Sequence, residues 1–252
     1  MRVSFPACVL FLHAFPLNKE MYADQMEALE REGLPYVALD YPGFGDEPPL
    51  PGDMSIERLT DFVVSKISAL GVKKVVPVGD SMGGYIIFDM FRRYRHVLKA
   101  LVFVATKAEA ETPEGKKARY ELIEQVREKG TKPLIELMME NQTSPSTKGD
   151  SEKMRRLRCM MEKATQDGVI KTLQALANRS DSTDTLKDID LPTLVVAGED
   201  DTKITPPSTV KRIADGVRGS RYVVLERCAH LPPFENPKDF NEVLLSFLRE
   251  VL

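Results

Sequence analysis

The chain has 252 residues, 42% hydrophobic and 29% charged, which suits one large α/β domain or two small ones. Its 35 basic and 38 acidic side chains leave a net charge of −3, without the basic footprint that a nucleic-acid partner requires. No apolar run approaches the roughly 20 residues that span a bilayer, and three scattered cysteines (Cys8, Cys159, Cys228) give neither a disulfide framework nor a metal-ligand spacing.

These exclusions predict a cytoplasmic protein with reduced cysteines, no nucleic-acid or membrane partner, and a small molecule as its target. Met1–Pro6 lacks the long apolar region and small-residue cleavage site of a signal peptide. In chain order, Ala7 to Leu12 reads as a buried strand and Asn18 to Arg31 as an amphipathic helix stopped by Gly33. Pro35 to Leu39 is the next strand, and Ser55 caps a helix running to about Leu70. The β-branched run Val75–Val78 is a third strand, followed by a helix from Gly84 to about Arg95 and a strand over Leu98–Val104. The alternation then stops. Residues 106–189 are charged and helix-prone, punctuated by Pro113, Pro133, Pro145 and Gly149. Strands resume at Thr193–Ala197 and Arg221–Leu225, and a helix from Pro237 to Val251 closes the chain.

Strands alternating with helices predict a parallel sheet covered on both faces. Residues 1–105 and 190–252 then form one core, and 106–189 a helical cap inserted between two core strands, over the strand ends where open α/β sheets bind ligands.

Between the third strand and its helix lies Gly79-Asp80-Ser81-Met82-Gly83. G-x-S-x-G on a sharp strand-to-helix turn lifts a serine hydroxyl clear of the sheet, with the N-terminus of a helix behind it. A serine hydroxyl needs a base, and the chain holds only three histidines. His96 follows Arg92-Arg93-Tyr94-Arg95 at a helix end and reads as a surface residue. His13 ends the first strand and shapes the loop after it. His230 follows the last strand in an irregular loop and is the expected base. The orienting acid belongs to the cluster Gly198-Glu199-Asp200-Asp201, where the residues alone leave Asp200 and Asp201 both open. Two backbone N–H donors must hold the oxyanion. Met82 follows the nucleophile, and Phe15 is the natural second donor because Pro16 has no N–H.

These landmarks, with Leu12-His13-Ala14-Phe15-Pro16, Asp40-Tyr41-Pro42-Gly43-Phe44-Gly45 and His230-Leu231-Pro232-Pro233-Phe234-Glu235-Asn236-Pro237, resemble the α/β-hydrolase superfamily over nearly the whole length. The likeness is greatest to its small bacterial esterase, enol-lactonase and cofactor-free haloperoxidase (perhydrolase) branch. The family's G-x-x-D pattern selects Asp201, although its usual proline stands one residue further on, at Pro206. Ala14 replaces the usual glycine of the oxyanion loop. The family's first two strands are absent or reduced to Met1–Phe5, so a mainly parallel sheet of about six strands is expected, with an exposed edge that a homodimer would cover.

The resemblance implies a carboxylesterase with Ser81, His230 and Asp201 as its triad, Phe15 and Met82 as oxyanion donors, and no metal or organic cofactor. Tyr41, Tyr85, Leu137 and Met138 are the expected pocket residues, and the partner a small ester or lactone. An enol-lactonase or C–C bond hydrolase would use the same triad, and perhydrolysis could accompany it. A non-catalytic binding protein on this fold is the alternative of a different class.

Overall fold

The computed structural model describes residues 7–252. Six strands, β1 (Cys8–Leu12), β2 (Tyr36–Leu39), β3 (Val75–Asp80), β4 (Leu101–Val104), β5 (Thr193–Gly198) and β6 (Arg221–Leu225), form one sheet in the order β2-β1-β3-β4-β5-β6. Every pairing is parallel. The expected remnant of an antiparallel edge at Met1–Phe5 lies outside the described residues.

Successive side chains of a strand face opposite ways, so a strand buried on both faces must be apolar throughout. In β1, Leu10 and Leu12 enter one core layer while Val9 and Phe11 enter the other. The first layer is filled from α2 (Ile56–Ala69), α3 (Met82–Tyr94) and α9 (Pro207–Gly216), through residues such as Leu59, Phe88 and Ile213. The second is filled from α1 (Ala23–Arg31) and α11 (Pro237–Val251), through Leu29, Phe240 and Leu244. Ser55 caps α2 as expected, accepting the Arg58 N–H. The strand expected from Leu98 is shorter, because Arg95–Val97 form a 3-10 turn before β4.

The chain passes from β1 out to the edge strand β2 and returns to β3 on the other side of β1. This reversal opens a crevice at the carboxyl ends of β1 and β3, the favoured ligand position in an open parallel sheet.

Between β4 and β5 lie only helices: α4 (Pro113–Lys129), α5 (Lys132–Gln142), α6 (Pro145–Lys148), α7 (Ser151–Glu162) and α8 (Gln166–Ala177), then a 3-10 turn. Thr112, Ser144, Asp150 and Thr165 each cap a helix with a side-chain oxygen, so local sequence defines most of these starts. The start of α8 docks on the loop after β2. The Thr165 N–H donates to Gly43 O at 2.8 Å, and a Cβ on Gly43 would lie 2.5 Å from Gly168 Cα. Only paired glycines allow that approach. Among the described residues, no helix is long and apolar enough to cross a membrane.

Candidate active site

Ser81 sits between β3 and α3 with φ 51° and ψ −106°, a conformation that a non-glycine residue adopts only where its surroundings enforce it. The Ser81 N–H donates to Val104 O at 2.8 Å, and its carbonyl accepts the Thr106 hydroxyl at 2.7 Å. The flanking glycines serve close approach. A Cβ on Gly83 would meet Leu12 O at 2.3 Å, and one on Gly79 would meet the Gly83 backbone at 2.5 Å. The turn therefore fits only when packed against the end of β1.

His230 Nε2 lies 2.9 Å from Ser81 Oγ, and its Nδ1 lies 2.7 Å from Asp201 Oδ2. An ionised carboxylate only accepts, so Nδ1 carries the proton and the Nε2 lone pair faces the serine. Burial pushes the Asp201 carboxyl up, but His230, the Thr205 hydroxyl and the Ile204 N–H outweigh it and hold it at about 2. Thr205 adds a backbone N–H at 3.2 Å and its hydroxyl at 2.8 Å from Oδ2. The neighbouring Asp200 is partly exposed, and its N–H donates to Cys228 O at 2.9 Å. The structure thus brings Asp201, not Asp200, to the imidazole.

Glu235 and Gln142 tie down the histidine loop. Glu235, buried in the turn α10 (Pro232–Glu235), accepts the N–H groups of Ala229 at 2.8 Å and Leu231 at 3.1 Å through Oε1. Its Oε2 accepts the Ser144 N–H at 2.7 Å. The His230 N–H donates to Gln142 O at 3.0 Å, while the Gln142 side-chain amide donates to Phe15 O at 2.7 Å. Sequence reasoning did not assign roles to Glu235, Gln142 or Thr205. Thr205 could have been suspected from its position four residues after Asp201, within one turn of loop.

His13 is fully buried, accepts the Tyr41 N–H on Nε2 at 3.1 Å, and places Nδ1 3.0 Å from Ala14 O. Burial lowers its pKa to about 4, so the ring is neutral and braces the loop after β1 against the loop after β2. His96 is exposed, as its flanking arginines imply. Asp80 is fully buried, and neither of its oxygens has a hydrogen-bond partner among the described residues. Burial, then the charges of Asp201 and Glu235, push its pKa well up.

A cavity of about 140 Å³ opens at Ser81 and His230. Phe15, Met82, Tyr85, Met138, Leu176 and Ile204 form its mainly apolar wall. Asn141, Gln142 and Arg119 add polar groups. A larger groove of about 530 Å³ runs between α1 and α11 over surface charges such as Arg31 and Glu242, and holds none of the reactive groups.

Of the four pocket candidates, Tyr85 and Met138 line the cavity, and Tyr41 and Leu137 do not. Tyr41 is fully buried beneath it, its ring 4.1 Å from the His13 ring. Leu137 is 39% exposed, because α5 buries Leu134, Ile135, Met139 and Gln142 and turns position 137 to the outer face. Among the described residues, no group of three or more His, Cys, Asp or Glu side chains is placed to hold a metal ion.

A parallel sheet, a serine elbow and a facing histidine–carboxylate pair define the α/β-hydrolase class. A family model of the alpha/beta hydrolase fold matches residues 8–237, and the chain belongs to that family. It is similar to a thermophilic esterase from Thermogutta terrifontis solved with malate bound, with TM-score 0.93 and 33% identity, covering 98% of this chain and 90% of that one. It is also 28% identical to a pimeloyl-[acyl-carrier protein] methyl ester esterase from Neisseria meningitidis, over 97% of this chain and 77% of that protein. An enol-lactonase from Burkholderia xenovorans LB400 shares the fold at TM-score 0.88 and 20% identity, covering 99% of this chain and 94% of that one.

Proposed function

We propose that this chain is a serine carboxylesterase that works through an acyl-enzyme. The observation that carries the reading is the continuous contact from Ser81 Oγ to His230 Nε2 at 2.9 Å and from His230 Nδ1 to Asp201 at 2.7 Å, at the wall of a cavity. Ser81 attacks the ester carbonyl while His230 accepts its proton, and the buried Asp201 carboxylate stabilises the imidazolium. The oxyanion is held by the N–H groups of Phe15 and of Met82, the first residue of α3. His230 then protonates the departing alcohol, and water, deprotonated by the same imidazole, releases the acid. Helices α4 to α8 serve as the cap, supplying the part of the wall formed by Arg119, Met138, Asn141, Gln142 and Leu176.

The esterase names of two relatives support this substrate class. Steady-state hydrolysis of p-nitrophenyl esters from acetate to decanoate, beside Ser81→Ala, tests it. Wild-type turnover that disappears in the variant is the expected result. A wild-type chain that cleaves no ester and leaves Ser81 unlabelled by a fluorophosphonate would overturn the proposal.

A further inference from the structure

The cavity wall carries one formal charge among the described residues, Arg119 of α4. Its Nε donates to Glu111 Oε2 at 2.7 Å, which fixes the guanidinium by one edge. The same carboxylate also accepts Arg179 Nη1 at 2.9 Å and lies 3.5 Å from Lys107 Nζ. Burial pushes the Glu111 carboxyl up, yet Arg119 and Arg179 hold it at about 2, so it is firmly ionised and shared among three cations. Arg179 is buried, donates to the carbonyls of Leu176 and Glu109, and stacks 4.5 Å over the ring of Tyr85, another cavity residue. Arg119 differs. No protein acceptor takes its two terminal nitrogens among the described residues, and its side chain keeps 25% of its exposure.

A guanidinium anchored by Nε presents its outer edge as a fork matched to a second carboxylate. We infer that this site takes esters that carry an additional ionised carboxylate, which pairs with the free edge of Arg119 while Ser81 attacks the ester carbonyl. The inference rests on the esterase reading above. The distal carboxylate takes no part in bond changes. The Ser81 Oγ–acyl bond forms as the acyl–alkoxy bond breaks, and water later returns a proton to Ser81 through His230 and a hydroxyl to the acid.

The carboxylate could belong to the acid half or to the alcohol half, and two substrate arms separate these cases. The first pairs monomethyl succinate, glutarate and adipate with neutral methyl esters of matching chain length. The second pairs butyrate esters of glycolate and 3-hydroxypropanoate with those of simple alcohols. Wild-type kcat/KM is expected to favour the charged member of one arm by about 10–100-fold, the range for a hydrogen-bonded charge. Arg119→Gln should erase most of that ratio, and Arg119→Lys should keep part of it, since an ammonium retains the charge without the fork.

Free dicarboxylates should inhibit wild-type cleavage of a neutral ester competitively and more strongly than monocarboxylates, less so at high ionic strength. That measurement needs no variant to fold. Equal kcat/KM for charged and neutral esters in both arms would overturn the inference, as would an Arg119→Gln variant with an unaltered ratio. Neutral-ester cleavage that depends on Ser81 would meanwhile leave the esterase reading standing.

Discussion

Gly198 is where the acid loop and the histidine loop meet, and it makes a sharp test of how the site is held. It ends β5, three residues before Asp201. A Cβ there would lie 2.0 Å from Ala229 O and 2.7 Å from Cys228 O, where ordinary contact begins near 3.4 Å. Gly198→Ala must therefore drive the two loops apart by roughly 1 Å or more. The displaced backbone immediately precedes His230, whose contacts with Asp201 and Ser81 are 2.7 and 2.9 Å and do not survive such a shift. Misplacement on this scale lowers kcat by about 10²-fold, and the overpacking costs about 1–3 kcal/mol of stability. The matched control is Gly130→Ala, at φ +73° with nothing within 4 Å of its would-be Cβ. With ψ −169° it sits in a region that is nearly exclusive to glycine, so the change should cost about 1–3 kcal/mol through backbone strain and leave kcat alone. The assay is kcat on p-nitrophenyl butyrate beside thermal unfolding of both variants. A folded Gly198→Ala enzyme with kcat within about threefold of wild type, equivalent to well under 1.4 kcal/mol, would refute the reasoning.

Asp201→Asn removes the acceptor that fixes the imidazole tautomer, so kcat should fall by about 10³–10⁴-fold with little change in fold, while Asp200→Asn stays near wild type; parallel kinetics of the two variants check this. Glu235→Gln turns an amide NH₂ toward either the Ser144 N–H or the Ala229 and Leu231 N–H groups. The unpaired donors should cost about 1–3 kcal/mol in urea unfolding and lower kcat as the His230 loop loosens. His13 has a folded pKa of about 4 against an ordinary 6.5, so acidification across that window protonates it only in the unfolded chain. Stability should therefore fall as pH drops from 6.5 to 4, by up to about 3 kcal/mol, and the slope should flatten in His13→Asn. Asp201 acts lower. Its contribution is complete above about 3.8 and is lost as pH falls through about 2, which separates the two groups in a pH series of urea melts.

Much of this architecture was readable locally. Six apolar runs became six parallel strands, the inner four because burial on both faces demands hydrophobic sequence and the edge strands β2 and β6 while only partly buried, and Ser55 capped its helix as any N-cap serine does. The elbow at Ser81 was legible because a strained turn between close-packed elements restricts its neighbours to glycine. What was not legible depends on contacts across long stretches of chain. Nothing near Gln142 signals that its amide meets Phe15, or that its carbonyl meets the His230 N–H. Arg119 looked like any other charge on a helix rich in them, and only the fold turns it inward. Leu137 faces outward although it is apolar. At 3.6 residues per turn it lies next to Leu134, and only the observed burial of Ile135, Met139 and Gln142 centres the inner face of α5 away from it. Tyr41 lies outside the cavity wall because the chain packs it wholly into the core, its ring 4.1 Å from that of His13, a contact 28 residues away in sequence.

The bond pattern of Gln142 also bears on how such enzymes can be re-engineered. One residue of the inserted helices is tied at once to the loop that follows the first strand and to the loop that follows the last. Moving Gln142 away from the cavity would therefore break both hydrogen bonds, at a net cost of about 0.5–1.5 kcal/mol each. A chimera that imports the helical segment of another enzyme without an equivalent of Gln142 in register would lose a tie to both loops at once, however well its apolar surfaces fit.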